Sequence, residues 1–325
     1  MDKEKYKKTL KIIAPILFGA FLIWLTFKNA TSKEINDVVN YIKDANYLWV
    51  FASVSIGLMS HLSRAYRWKF TLEPLGYKPK FLNSFMAVMI AYFANLGIPR
   101  SGEILRATTL TTYEGVPFEK AFGTIIAERI ADLIMSFVFI IIALVFHYNM
   151  IINVLKTIIQ NINSYNFVVI TLVGITLLII LIWLILKNPN NTILTKIKNF
   201  FFGLKDGVLS IVTMEKKWPF IFHTMFIWTS YFFMFYVIFF SVSETINTPP
   251  SIAIAPFITG SFTMAATNGG LGSFPLVIQE TLNLFDISNQ SGLAIGWIMW
   301  GSQTLLNIVI GLLSFFYLPI FNKKK

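Results

Sequence analysis

Nine charged residues lie in or beside long apolar runs, where charge is costly and therefore informative. Glu128, Arg129 and Asp132 stand in the stretch AERIADLIMSF. Arg129 and Asp132 are one helical turn apart, and Glu128 and Asp132 share a helix face. Ionisable groups at membrane depth usually face a bundle interior or an aqueous path. Two readings are open: a site for a lipid headgroup or a proton, or an internal salt bridge that locks helix packing. A second cluster, NLGIPRSGEILRATTL, gathers Asn95, Pro99, Arg100, Gly102, Glu103 and Arg106 within twelve residues. Pro99 and Gly102 permit a turn, and Glu103 and Arg106 fall on one face of the helix after it. The planar guanidinium fork of arginine suits bidentate contact with phosphate or carboxylate. An ordinary cytoplasmic loop is the competing reading. The third cluster is TNGGLGSFPLVIQE, with Asn268, Gly269, Gly270 and Gly272 ahead of a helix restart near Pro275 and Glu280 about two turns further on. A helix N-terminus with free N–H groups can bind an anion. It can equally be a turn that needs flexible residues. The run has neither the lysine nor the spacing of a P-loop, so nucleotide binding is not expected. Arg64 and Arg67, in RAYRW, read either as site residues or as stop-transfer charges.

The elements that must position these residues are membrane helices. Only 13% of the 325 residues are charged against 55% hydrophobic, about half the charge of a soluble chain. Charge leaves a sequence when little of its surface faces water. Uncharged runs recur at lengths near the ~20 residues a helix needs to cross hydrocarbon, and no period-2 alternation suggests a barrel. Spans are expected at Leu10–Phe27, Leu48–Arg67, Phe118–Phe146, Phe167–Leu186, Trp218–Ser243 and Gly292–Phe321. The lysine-rich start MDKEKYKK lacks a small-x-small cleavage site after its apolar run, so that run reads as a retained first span. Residues Lys187–Lys217 place Ile193, Ile197, Phe200, Phe201 and Leu204 at helical spacing among lysines. This segment is either an interfacial helix or a simple connector.

Charge fixes the expected orientation. With the N-terminus in the cytoplasm, 22 of the 27 Lys and Arg fall on that side and four on the other, as positive-inside bias requires. That count makes Phe81–Leu110 and Ser251–Phe285 dip in and return. The expected fold is all-α: six transmembrane helices plus two re-entrant hairpins, eight membrane segments in all. They form one domain over residues 1–325, with inverted halves at about 10–147 and 167–321. Inverted repeats with broken helices meeting near the midplane are a transporter pattern. Eight ordinary spans are the alternative.

Composition excludes other classes. There is no cysteine, which removes disulfides and thiolate chemistry, and three scattered histidines make no metal-ligand spacing. Neither a metal nor a cofactor is expected. The net charge of +11 sits beside span ends rather than on a basic stripe, so no nucleic-acid partner is expected.

Four elements in their order and spacing resemble the flippase-like transmembrane domain of lysylphosphatidylglycerol synthases. They are RAYRW, the N-x-x-x-P-R-x-G-E-x-x-R run of Asn95–Arg106, the E-R-x-x-D run of Glu128–Asp132, and the G-G-x-G turn of Gly269–Gly272 with Glu280 after it. The likeness covers about residues 10–320. Where the family often has P-x-P-G-G-x-G, this chain reads AATNGGLGSF, so substrate preference is not carried over. The resemblance implies translocation of a lipid with a polar headgroup. Lysyl transfer resides in a separate soluble domain of full-length members, and the chain ends at Lys325 just after its last expected span, so that activity is not implied. The expected role is a lipid flippase in the cell membrane, with both termini cytoplasmic. The substrate would be an aminoacylated, anionic or polyprenyl-phosphate-linked lipid, and the partners a lipid-modifying enzyme or a second copy of the chain. An integral-membrane transferase on a polyprenyl or phospholipid substrate, and a non-catalytic assembly factor, are the alternatives.

Overall fold

The structure is a computed structural model. It describes residues 31–98, 100–148, 214–267 and 269–323, with Phe21, Trp24, Lys28 and Thr176 besides. Apart from Phe21, Trp24 and Thr176, the expected spans at Leu10–Phe27 and Phe167–Leu186 lie outside these residues, as does nearly all of the Lys187–Lys217 segment. The chain divides into two compact units, Met1–Phe139 with Met214–Lys325, and Ile140–Thr213. The second lies almost wholly outside the described residues.

Among the described residues every regular element is helical. Helix α1 (Ser32–Lys43) starts from a capping box in which Thr31 and Glu34 satisfy each other's backbone N–H groups. Helix α2 (Tyr47–Leu72) is capped by Asn46. Next come a broken pair, α3 (Phe81–Gly97) and α4 (Ser101–Glu114), and the long α5 (Phe118–Phe146). Helix α6 (Lys217–Tyr236) tightens into a 3-10 turn at Val237–Ser241. A second broken pair, α7 (Pro250–Ala266) and α8 (Ser273–Asn283), leads to α9 (Asn289–Phe321), capped by Ser288.

Among the described residues three stretches are long and apolar enough to cross a membrane: Phe118–Phe146, Lys217–Ser241 and Asn289–Phe321. The expected span at Leu48–Arg67 is a 26-residue helix reaching Leu72, but it is not among the three. It has the length and not the composition, because its second half carries Arg64, Arg67 and Lys69. In the paired helices the lengths are 17, 14, 17 and 11 residues, short of the ~20 needed to cross.

Helix α2 packs along α6, α9 packs against α3 and α8, and each broken helix packs on its own partner. One core forms where Ile227, Phe235 and Phe239 meet Phe257, Ile278 and Ile295. Another, around Trp68, Leu72, Ala87, Leu110 and Ile125, anchors α2, α3, α4 and α5 together.

Each broken pair is tied at its open end by a carboxylate. Glu114, the last residue of α4, accepts hydrogen bonds from the Lys80 N–H and the Asn83 amide, and Asn83 exchanges amide bonds of 2.8 and 2.9 Å with Asn322 at the end of α9. Glu244, ahead of α7, accepts from the N–H and hydroxyl of Ser288, from the Ser291 hydroxyl, and from Tyr41 of α1. The two turns come together. A Cβ placed on Gly269 would lie 3.1 Å from Leu96 of α3.

Candidate functional site

Four arginines and three carboxylates from α2, α4 and α5 form one network. Residues 60, 63, 64, 67 and 71 of α2 lie on one buried face, and the spacing of three and four puts Arg64 and Arg67 one turn apart on it. Asp132 of α5 takes both: Arg64 Nη1 donates to Oδ2 at 2.8 Å and Arg67 Nη1 to Oδ1 at 3.2 Å. One turn earlier on α5, Glu128 Oε2 accepts from Arg106 Nη1 of α4 at 2.8 Å and lies 3.8 Å from Arg67 Nη2. Arg129 Nη2 donates to Glu103 of α4 at 2.8 Å, and its Nη1 is 3.9 Å from Asp132.

Burial divides this network. Arg67 is 0% exposed, Glu128 1%, Arg64 and Arg106 3%, and Asp132 8%. The Arg129 side chain, by contrast, is 48% exposed. Leaving such charges unpaired away from water costs several kcal/mol each, so the carboxylates are required for the arginines to be there at all. The pairing is incomplete. Formal charge leaves one arginine in excess, and Arg64 Nε, Arg67 Nε and Nη2, and Arg106 Nε and Nη2 are buried without a hydrogen-bond partner.

Neutral groups finish the walls. The Arg106 guanidinium lies 3.8 Å from the Trp68 ring centroid, and Trp68 Nε1 donates to Thr124 at 2.8 Å. Such stacking stabilises a desolvated cation without adding charge. From α6, Thr224 accepts from Arg67 Nη1 at 2.8 Å, Trp228 Nε1 approaches Asp132 at 3.4 Å, and Tyr231 accepts from Arg64 at 3.2 Å. Among the described residues no group of three or more His, Asp or Glu is placed to hold a metal ion.

The sequence-derived residues thus separate into groups. Arg64, Arg67, Glu103, Arg106, Glu128, Arg129 and Asp132 are one network. Asn95 and Arg100 belong to the first turn instead. Asn95 Oδ1 accepts the Gly102 N–H at 2.7 Å, while Arg100 is exposed, makes no ion pair among the described residues, and holds a left-handed backbone at φ 61°. Gly269, Gly270 and Gly272 form the second turn with φ of 66°, 75° and 71°, values glycine adopts at little cost. Trp300 Nε1 donates to the Gly269 carbonyl at 2.7 Å. Among the described residues these glycines make no hydrogen bond to the arginines. Glu280 is exposed on α8 and outside the network, and Asn268 and Pro99 lie outside the described residues. Sequence reasoning missed Trp68, Thr224, Trp228 and Tyr231. The last three recur at intervals of four and three on a mostly apolar helix, which is a usable signal.

The sequence pattern of the lysylphosphatidylglycerol synthase TM region matches residues 12–311. The chain belongs to this family. It is a multi-pass membrane protein, as the family and the apolar helices together require. Family membership extends over the network and both turns, since all of these residues fall inside the match. The chain is similar to the UPF0104 membrane protein MJ1595 of Methanocaldococcus jannaschii, 31% identical over 130 residues, 39% of this chain and 36% of that protein. It is also similar to glycosyltransferase AglD of Haloferax volcanii, 30% identical over 102 residues, 30% of this chain and 16% of that one. The aligned regions span little more than a third of the first relative and about a sixth of the second. No solved structure matches.

Proposed function

We propose that this protein is a lipid flippase of the cell membrane, moving a lipid with an anionic or aminoacylated polar headgroup between leaflets. One observation carries the reading. A desolvated cluster with an excess arginine and unpartnered guanidinium N–H groups lies within a bundle whose outer surface is apolar. Phosphate is the complement of such donors, and the acyl chains of the same lipid need only the apolar outside. Arg129 and Glu103, at the more exposed edge of the cluster, would meet the headgroup first. The two broken pairs, too short to cross and touching at their turns, fit re-entrant hairpins in an inverted repeat with both termini cytoplasmic. The single domain then comprises the inverted halves at about 10–147 and 167–321. The partner is the lipid itself, together with an enzyme that modifies it or a second copy of the chain.

The test is a leaflet-resolved assay in proteoliposomes with labelled phospholipid. Wild type should equilibrate label across the bilayer and Arg129→Ala should slow it at least tenfold. Equal rates for both, or no movement above empty liposomes, sink the role given to Arg129 and the transport reading respectively.

A second reading, a membrane-bound transferase acting on a polyprenyl-phosphate or phospholipid, is favoured by the glycosyltransferase activity in the name of the Haloferax volcanii relative. Mass spectrometry of the lipids after incubation separates the two, because a transferase yields a new mass and a flippase only a new location.

A further inference from the structure

Tyr92 and Tyr231 carry no charge and stand outside every motif in the sequence, yet they extend the arginine network toward the first turn. Tyr92 is in the last two turns of α3 and Tyr231 lies seven residues beyond Thr224 on α6. Arg64 Nη2 is 3.2 Å from the Tyr231 hydroxyl, and the two tyrosine hydroxyls are 3.0 Å apart. A guanidinium only donates, so Tyr231 accepts from Arg64. The two hydroxyls bring two protons, and the single bond between them uses one, whichever ring donates. One O–H is therefore left over, and neither hydroxyl has a further acceptor among the described residues.

Polarity says which one it is. Donation from Arg64 makes the Tyr231 proton the better donor, since linked hydrogen bonds polarise one another in one direction. The chain then runs Arg64 to Tyr231 to Tyr92, and the surplus proton stands on Tyr92. His61 does not take it. Its ring packs 4.5 Å from that of Tyr92, but its Nδ1 makes no hydrogen bond. Tyr92 is half buried, and Arg129, the exposed arginine of the network, is joined to it through Asp132, Arg64 and Tyr231 by successive contacts of 3.9, 2.8, 3.2 and 3.0 Å.

We propose that Tyr92, backed by Tyr231 and Arg64, forms with Arg129 a subsite for an anionic phosphate-ester oxygen, to which the surplus hydroxyl proton bonds. This rests on the transport reading for the lipid as its natural source. A phosphate offers enough acceptor oxygens to meet the Arg129 fork and the hydroxyl together, whereas a carboxylate spends its two on the fork alone. A neutral donor also adds affinity for the anion without adding charge to a cluster that is already positive.

The experiment is lipid binding to the full chain in detergent micelles by native mass spectrometry. The probes are dioleoylphosphatidylglycerol, dioleoylglycerol with the same acyl chains and no phosphate, and inorganic phosphate as competitor. Tyr92→Phe and Tyr231→Phe should each weaken phosphatidylglycerol binding about tenfold, the range for a hydrogen bond to a charged group. Dioleoylglycerol binding should not change. The double variant should be no weaker than either single one, because the hydroxyls act as a unit. Competition by inorganic phosphate in wild type that is lost in Tyr92→Phe assigns the subsite to phosphate itself. No competition, with the phosphatidylglycerol effect intact, assigns it to the lipid headgroup. Wild-type affinity in both single variants, or equal loss for dioleoylglycerol, overturns the proposal. Unfolding midpoints within a degree or so of wild type show that neither variant acts through folding, and either variant alone suffices. A protein that binds in this tyrosine-dependent way but moves no lipid refutes transport and leaves the subsite standing. Transport with unchanged binding in the variants refutes the subsite alone.

Discussion

Asp132 and Arg129 are three residues apart and do opposite jobs. Asp132 accepts from two buried arginines of α2 and a tryptophan of α6, so its removal strands Arg64 and Arg67 in a place that cannot hydrate them. Breaking a buried pair in this way costs about 3–5 kcal/mol. Arg129 points outward and its pairing with Glu103 is largely solvated, and such pairs contribute about 0–1 kcal/mol. Asp132→Ala should therefore lower the thermal midpoint in detergent sharply or abolish folding, while Arg129→Ala leaves it nearly unchanged and loses transport. A similar fall in midpoint for both would mean that Arg129 is structural. The sequence could not make this division. It placed Glu128, Arg129 and Asp132 on one helix, but which of them faced α2 depended on a rotation that only packing against Trp68 and Trp228 sets. Arg64 and Arg67 could be read either as site residues or as charges ending a span, because α2 looked finished at Arg67, whereas it runs on to Leu72 and buries both.

At the scale of elements, the broken pairs depend on close backbone approach and on their carboxylate ties. A Cβ on Gly102 would lie 2.3 Å from the Ala91 carbonyl oxygen, so α3 and α4 could not stay packed as they are. Gly102→Ala should cost about 1–3 kcal/mol, the usual penalty of overpacking, read as a lower unfolding midpoint; an unchanged midpoint would mean that α4 can shift freely. The second pair supplies a pH test. Partial burial opposes ionisation of Glu244, but the hydrogen bonds from Ser288, Ser291 and Tyr41 outweigh it and hold the carboxyl below its usual value of 4.5. A carboxylate whose folded value is depressed stabilises the protein above the ordinary value and loses that contribution as pH falls below it. Thermal stability should thus hold from neutral to about 4.5 and decline as pH falls below it through the depressed folded value, and Glu244→Gln should flatten that decline. The turn residues were legible in sequence from Pro, Gly and Asn. These ties were not, because Glu114 and Glu244 meet partners that sit near them only after each pair has folded back.

At the scale of the molecule, the described residues present an apolar exterior of the kind a bilayer requires. Only 17% of the most apolar stretch of α5 and of α9 is buried within the protein, and Phe137, Ile141, Val145, Leu313, Phe316 and Ile320 are among the large side chains left outside. Exposed apolar area on that scale marks a surface meant for lipid. Composition made this the most readable property of the chain, since it sums over many residues and needs no single contact. The path through the membrane is harder to read, because a re-entrant hairpin and two ordinary spans both return the chain to the side it left. Their turns differ. In a hairpin the turn stays inside, and in a pair of spans it emerges on the far face. The absence of cysteine makes the distinction measurable with single substitutions in an unmodified background. Lys78→Cys and Glu119→Cys, flanking the first pair, should label with an impermeant maleimide from the cytoplasmic face of oriented vesicles. Ile98→Cys at its turn should label from neither face until the protein is unfolded. For the second pair, Thr248→Cys and Asn289→Cys should label from the opposite face, and Thr267→Cys should again be protected. Prompt labelling of Ile98→Cys from the external face would make α3 and α4 ordinary spans. It would also remove the geometric basis for a headgroup site near the midplane, since the arginines of α2 and α4 would then have to be reached from one side only.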